Sequence, residues 1–309
     1  MAIRELAFAS SNGRDYVKGW SYSPLGEPKA VVQIVHGFGE HSRRYLHMIN
    51  TFLAAGYAVY ADDHIGHGKT GYDSDTLGDP HSKDYMTFVQ DEKSLHDIAV
   101  QDYPGVPYFI FGHSWGSLIS RAYAARFGSD LSGMMLSGVV SMLKGCELLR
   151  NNPEMEAAFR ANPDQPADEW VLKAFQCMLE RIPNFVTGSD WVANDPRIIA
   201  DYLADPFNAK RFTLQMLWDF VGLYSFVEGE AWAGMVPSDL PFCLMAGDHD
   251  PCGNYGEGLY HVANMLITSG NQVQVKVYPG YRHEIHNELA IRDDVEQNLI
   301  NFIERVIKG

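Results

Sequence analysis

Ser114 stands in the pentapeptide Gly112-His113-Ser114-Trp115-Gly116, between an apolar run at 108–111 and a helix-like segment at 117–127. This is a G-x-S-x-G string at a sharp turn from strand into helix, where a serine hydroxyl is held up and exposed. A serine hydroxyl is a weak nucleophile. It attacks an acyl carbon when a base takes its proton and a carboxylate orients that base. After an elbow of this kind the partners follow along the chain, acid before histidine, each on a loop after a later strand. Gly247-Asp248-His249-Asp250-Pro251 follows a strand-like run at 241–246, and Pro279-Gly280-Tyr281-Arg282-His283-Glu284 follows another at 273–278. Asp248 and Asp250 compete for the acid. Asp250 is assigned, because Asp248 directly follows the strand and Gly247, a place for a turn residue, whereas Asp250 lies farther out and can reach across. His283 is assigned as the base, just past the sharp exit at Gly280. His286 is expected in the first turn of the last helix or packed beside the site.

The tetrahedral intermediates of acyl transfer carry a negative oxygen that needs donors already in place. The backbone N–H of Trp115 is one. The glycine-rich loop His36-Gly37-Phe38-Gly39-Glu40-His41-Ser42 offers the other, assigned to the N–H of Phe38. His36, Gly37 and His113, beside these groups, are expected to contact substrate. No cofactor is expected. Asp62-Asp63-His64-Ile65-Gly66-His67-Gly68 gathers carboxylates and imidazoles, but its spacing is no recognised ligand pattern, so no metal is expected. Its glycines mark a tight loop under the oxyanion segment.

The elements that must position these groups alternate. Two strand-like runs flank Asn12-Gly13, a two-residue turn signal. Strands are expected at 31–35, 57–61, 108–111, 133–137, 241–246 and 273–278, and helices at 45–55, 82–102, 117–127, 258–268 and 293–307. This rhythm predicts an α/β fold with a mostly parallel sheet covered by helices on both faces. It breaks at 141–236, where helical spacing of Trp170, Phe175, Met178, Trp191, Phe207, Phe212, Met216, Leu217, Phe220 and Tyr224 predicts an inserted helical cap over the sheet's carboxyl edge. The expected division is a core of 1–140 and 237–309 and a cap of 141–236. Most cap aromatics are expected in the core of that segment, and some must face the site.

The apolar fraction of 46% and charged fraction of 20% are those of a globular domain, and a net charge of −15 argues against nucleic acid and strongly anionic membrane surfaces. Cys146, Cys177, Cys243 and Cys252 show neither paired nor metal-type spacing, which fits a reducing compartment. The amino terminus lacks signal-peptide character and no apolar stretch is long enough to span a bilayer, so the expectation is a cytoplasmic protein. Cys252, two residues past Asp250, is a candidate for inhibition by thiol reagents.

These residues resemble the α/β-hydrolase superfamily, in its monoacylglycerol lipase, lysophospholipase and serine aminopeptidase-like branch. The segment from His36 to Ser42 with Arg44-Tyr45 is similar to that branch's H-G-x-G-E-H-S-x-R-Y stretch, and Asp63 to Gly68 to its D-x-x-G-H-G loop. Tyr278 to Glu284 resembles the segment carrying its histidine, and Asn194-Asp195-Pro196, Tyr202 and Asp205-Pro206 resemble its cap pattern. Trp115 stands where the branch usually has methionine, and Gly116-Ser117 where it has two glycines. The larger side chain either narrows the acyl pocket or packs under the cap.

The reading is a serine hydrolase of carboxylic esters, monoacylglycerol- or lysophospholipid-like, working through an acyl-enzyme. Its partner is a small acyl ester, lipids included, with transient membrane-surface contact allowed. One alternative is an aminopeptidase on the same residues, which needs cap carboxylates to hold a free amine, with Glu154, Glu156, Glu169 and Glu180 as candidates. The other is a ligand-binding module without turnover.

Overall fold

Apolar runs too continuous to face water on either side belong at the centre of a sheet. In the computed structural model, which describes residues 2–309, β3 (Ala30–Val35), β4 (Tyr57–Asp63), β5 (Tyr108–His113), β6 (Gly133–Ser137) and β7 (Phe242–Gly247) are buried at every position. With β1 (Ala2–Ala9), β2 (Tyr16–Ser23) and β8 (Val273–Tyr278) they form, among the described residues, one eight-stranded sheet in the order β1-β2-β4-β3-β5-β6-β7-β8. β2 is antiparallel to both β1 and β4, and every other neighbouring pair is parallel.

Side chains alternate across the sheet. Val31, Val35, Ile110 and Leu136 share one core with Leu95 of α3 (Met86–Asp102) and Leu118 of α4 (Trp115–Phe127). Val32, Ile34, Phe109 and Phe111 share the other with Phe52 of α1 (Leu46–Ala54) and Leu299 of α12 (Arg292–Lys308). Two further helices flank the sheet, α2 (Gly68–Asp73) and α11 (Glu257–Thr268). The chain crosses from β3 to β4 on one side and then to β5 on the other. Crevices at the carboxyl ends of strands form where the winding reverses in this way. Val35 pairs with Gly112 there, so the loops that begin at His36 and at Ser114 leave the sheet side by side.

Between β6 and β7 the chain forms α5 (Lys144–Leu149), α6 (Pro153–Ala161), α7 (Asp168–Phe175), α8 (Pro196–Ala204), α9 (Leu214–Glu228) and α10 (Glu230–Ala233). Among the described residues no helix is long and apolar enough to cross a membrane.

Several boundaries differ from the sequence reading. The β1–β2 connection spans residues 10–15 because pairing starts at Ala9 with Tyr16, and Asn12 Oδ1 accepts from the N–H groups of Arg14 and Asp15 at 2.8 and 2.9 Å. Side-chain capping of the backbone therefore replaces the two-residue turn. α3 starts at Met86, since Asp84 Oδ1 takes the Met86 N–H at 2.8 Å in a preceding turn. β4 runs on through Asp62 and Asp63 because Lys18 and Gly19 of β2 pair with them. α12 starts at Arg292, within one residue of the expected start, so His286 lies in the preceding loop and not in the first turn of that helix.

Candidate active site

The elbow is built by steric exclusion. Ser114 has φ 55° and ψ −122°, a conformation that costs a non-glycine residue on the order of 1–3 kcal/mol. Its N–H donates to Ser137 O at 3.0 Å, and its carbonyl accepts from the Ser117 N–H at 2.8 Å. A side chain at 112 would overlap Ser120 Oγ and the Gly116 carbonyl, and one at 116 would overlap the Val35 carbonyl. Both glycines are therefore required by close approach.

The loops after β7 and β8 interlock. A Cβ at Gly247 would overlap the Tyr281 carbonyl; His249 N–H donates to that carbonyl at 2.9 Å, and Gly280 N–H donates to Asp248 Oδ1 at 2.6 Å. Asp248 thus ties the two loops together at the surface. Asp250, fully buried, receives His283 Nδ1–H on Oδ2 at 2.9 Å and the Cys252 N–H on Oδ1 at 2.9 Å. Burial opposes a charge on His283, but the adjoining Asp250 carboxylate outweighs it and raises the imidazole above its ordinary value. His283 Nε2 is buried with no hydrogen-bond partner among the described residues, which leaves that nitrogen free for a proton in transit.

The sequence placed His113 and His36 against substrate; both are buried, and neither lines the cavity at Ser114. His113 is buried beneath the site, its ring 4.7 Å from His283 and 4.4 Å from His286. Burial and the neighbouring imidazoles hold it well below its ordinary value, so it is a neutral platform. His36 is fully buried behind the oxyanion loop, stacked on His64 at 3.8 Å. Gly37 is in the loop itself: a Cβ there would stand 3.1 Å from Ser114 Cβ, so the backbone passes the serine closely. His286 is likewise packed beside the site, stacked 4.9 Å from Tyr45.

Phe38 and Trp115 donate their backbone N–H groups to no acceptor among the described residues. The Trp115 side chain is buried against Phe88, His64 and His67 at 4.6–5.5 Å and does not line the cavity. The indole neither lines the cavity nor packs under residues 141–236 as expected: its neighbours are side chains of the loop after β4 and of α3.

A cavity of about 170 Å³ opens at Ser114. Phe38, Val140, Leu143, Val171, Phe175, Phe212 and Phe220 make it apolar, and Trp191, Tyr202 and Cys252 complete its wall. Trp191 also stands 5.1 Å from the His283 ring. Of the residues of 141–236 singled out above, Phe175, Trp191, Phe212 and Phe220 thus line the cavity, whereas Met178, Met216, Leu217 and Tyr224 are in the core. Val140, Leu143 and Val171 carried no signal in the sequence, because helical spacing does not distinguish a cavity wall from a core. Glu156, Glu169 and Glu180 pair with Arg160, Lys173 and Lys144 on the surface, and among the described residues no carboxylate lines the cavity.

A second network escaped sequence reasoning. Glu40 Oε1 accepts from Gly37 N–H at 2.7 Å and from Tyr45 Oη–H at 2.6 Å, and its Oε2 meets Arg44 Nη1 at 2.7 Å. Arg44 also clasps Glu284, next to His283, at 2.5 and 2.8 Å. The Asp62–His64–Glu92 group gathers ligand-type atoms within 4.8 Å, while Asp63 instead takes Ser42 N–H at 2.9 Å and Lys69 N–H at 2.6 Å.

Residues 26–290 match the family described as serine aminopeptidase, S33. A monoacylglycerol lipase of Mycolicibacterium smegmatis is 31% identical over 290 residues, covering 91% of this chain and 92% of its own. The monoglyceride lipase of Homo sapiens is 27% identical over 274 residues, covering 87% of this chain and 80% of its own. A highly thermostable carboxyl esterase from Bacillus coagulans, in complex with glycerol, superposes with a TM-score of 0.96 at 46% identity over 99% of both chains.

Proposed function

This chain belongs to the serine aminopeptidase, S33, family of the α/β-hydrolase fold, and from that membership and its cavity we propose that it hydrolyses carboxylic esters of one apolar acyl chain, monoacylglycerol- or lysophospholipid-like. The observation that carries this reading is the apolar cavity opening on Ser114, beside the buried Asp250–His283 pair. Its relatives include lipases and a carboxyl esterase. A cavity wall that, among the described residues, is apolar and carries no carboxylate favours an ester over a peptide with a free amine.

In the proposed cycle His283 Nε2 takes the Ser114 proton as Oγ attacks the acyl carbon. Asp250 holds the Nδ1–H tautomer and stabilises the imidazolium. The Phe38 and Trp115 N–H groups receive the oxyanion, and His283 returns the proton to the leaving alcohol. Water then repeats the sequence on the acyl-enzyme and releases the acid. Residues 141–236 serve as the cap, with 1–140 and 237–309 as the catalytic core. Four free, buried thiols support a cytoplasmic, reducing location. Exposed Leu172 and Val186 in the cap segment support transient contact with a lipid surface.

The test is a panel of p-nitrophenyl and glycerol esters beside aminoacyl-coumarin amides. Ser114→Ala should abolish ester turnover with the fold intact by circular dichroism, and a fluorophosphonate probe should label wild-type Ser114. Turnover retained in that variant, or a marked preference for the amides, would overturn the reading. Failure of the probe to label folded protein would favour a ligand-binding module.

A further inference from the structure

The carbonyl of Gly37 and the N–H of Phe38 belong to one trans peptide, so they point in opposite directions from one plane. Whatever holds the carbonyl aims the N–H. His36 Nδ1 lies 2.8 Å from Gly37 O, and a carbonyl only accepts, so a proton must sit on that nitrogen. The other ring nitrogen, Nε2, accepts the backbone N–H of His64 at 3.1 Å and must be bare. The two contacts together fix one neutral tautomer.

His64 holds this arrangement from behind. Its Nε2 faces the His36 carbonyl at 3.3 Å and its ring stacks on the His36 ring. Its Nδ1 faces Glu92 Oε1 at 3.1 Å and Asp62 Oδ1 at 3.6 Å. Nε2 meets a carbonyl and so carries a proton, and we assign a second proton to Nδ1, which stands against the two buried acids. Asp62 and Glu92 are both buried, and neither oxygen of Asp62 nor Oε1 of Glu92 has a hydrogen-bond partner among the described residues, so an imidazolium at His64 balances the charge gathered there. Glu92 is held on its other oxygen by Gln33 Nε2. Burial opposes charge on His64, yet the two acids outweigh it and raise the ring to about 10. The same burial, and the His64 charge beside it, keep His36 neutral.

We propose that His36 is a positioning residue, whose Nδ1–H holds the Gly37 carbonyl and so aims the Phe38 N–H at the oxyanion. His64, charged and anchored by Asp62 and Glu92, holds His36 in the tautomer and place this requires. The inference rests on the ester-hydrolase reading only through its kinetic arm.

That arm compares His36→Phe, which keeps a ring but no donor, with wild type. Loss of one preorganised oxyanion donor costs about 10²–10³ in kcat, so a misaimed one should cost about tenfold or more with little change in KM. Phosphonate inactivation should slow in parallel. His64→Gln, which retains a donor for the His36 carbonyl, should keep more kcat than His64→Leu. The second arm needs neither variant nor substrate: ¹⁵N spectra of histidine-labelled wild type should show His36 protonated on Nδ1 alone and His64 on both nitrogens at neutral pH. Undiminished kcat in His36→Phe, a His36 proton on Nε2, or a neutral His64 would overturn the inference. So would one transition-metal ion per chain that is lost in Glu92→Gln, since a cation would then occupy the place of the His64 Nδ1 proton. A wild type inactive on every ester would sink the functional reading and leave the spectra to judge the tautomer.

Discussion

His283 is pulled two ways. Burial discourages its charge, and the Asp250 carboxylate 2.9 Å away encourages it and prevails. In the proposed cycle the base works neutral, so kcat/KM should climb as pH rises through a value above that of an ordinary imidazole. Asp250→Asn removes the carboxylate, so the limb should move to lower pH while the plateau drops by about 10⁴-fold. A pH–rate profile of both proteins checks this. Trp115 is a different kind of residue. Its indole is fully buried away from the cavity, so Trp115→Ala should destabilise by about 3–5 kcal/mol without altering the preferred acyl length, as read by urea unfolding and an ester series. Cys252 lines the cavity but is 2% exposed, and burial beside Asp250 pushes its thiol well up. Thiolate is the reactive form, so iodoacetamide should inactivate the folded enzyme only slowly at neutral pH.

At the level of elements, the Glu40–Arg44–Glu284 network couples the loop after β3 to the loop after β8. Arg44 and Glu284 are buried, and removing one partner strands the other charge. Arg44→Met should therefore cost about 3–5 kcal/mol in urea unfolding. Burial would raise the Glu284 carboxyl, but Arg44 overrides it and holds the group down to about 2. The stability this supplies is present above the ordinary carboxylate range and should fade as pH falls from there towards about 2. Strands and loop order were legible because they depend on local pattern: β-branched runs such as 31–35 and exits such as Gly247 and Gly280 announce themselves. The Asn12-Gly13 turn misled because Asn12 caps a longer loop with its side chain. The roles of Glu40, His64 and Glu92 were illegible. They depend on which residues the parallel register and α3 bring together, and no spacing along the chain encodes that.

For the whole molecule, the net charge of −15 and the exposed apolar groups between β6 and β7 act together. Leu172 is 72% and Val186 89% exposed. Acidic repulsion predicts weaker sedimentation with anionic than with zwitterionic vesicles at low salt. Leu172→Asp with Val186→Asp should lower turnover of dispersed monoacylglycerol while sparing a soluble short-chain ester. The sheet order has a consequence of its own. β6 and β7 are hydrogen-bonded neighbours although residues 138–241 separate them, so the excursion departs and returns through adjoining doors. Evolution, or an engineer, can graft a roof of another shape there without re-threading a strand. New substrate ranges would then arise by exchange of that one excursion, above machinery left untouched.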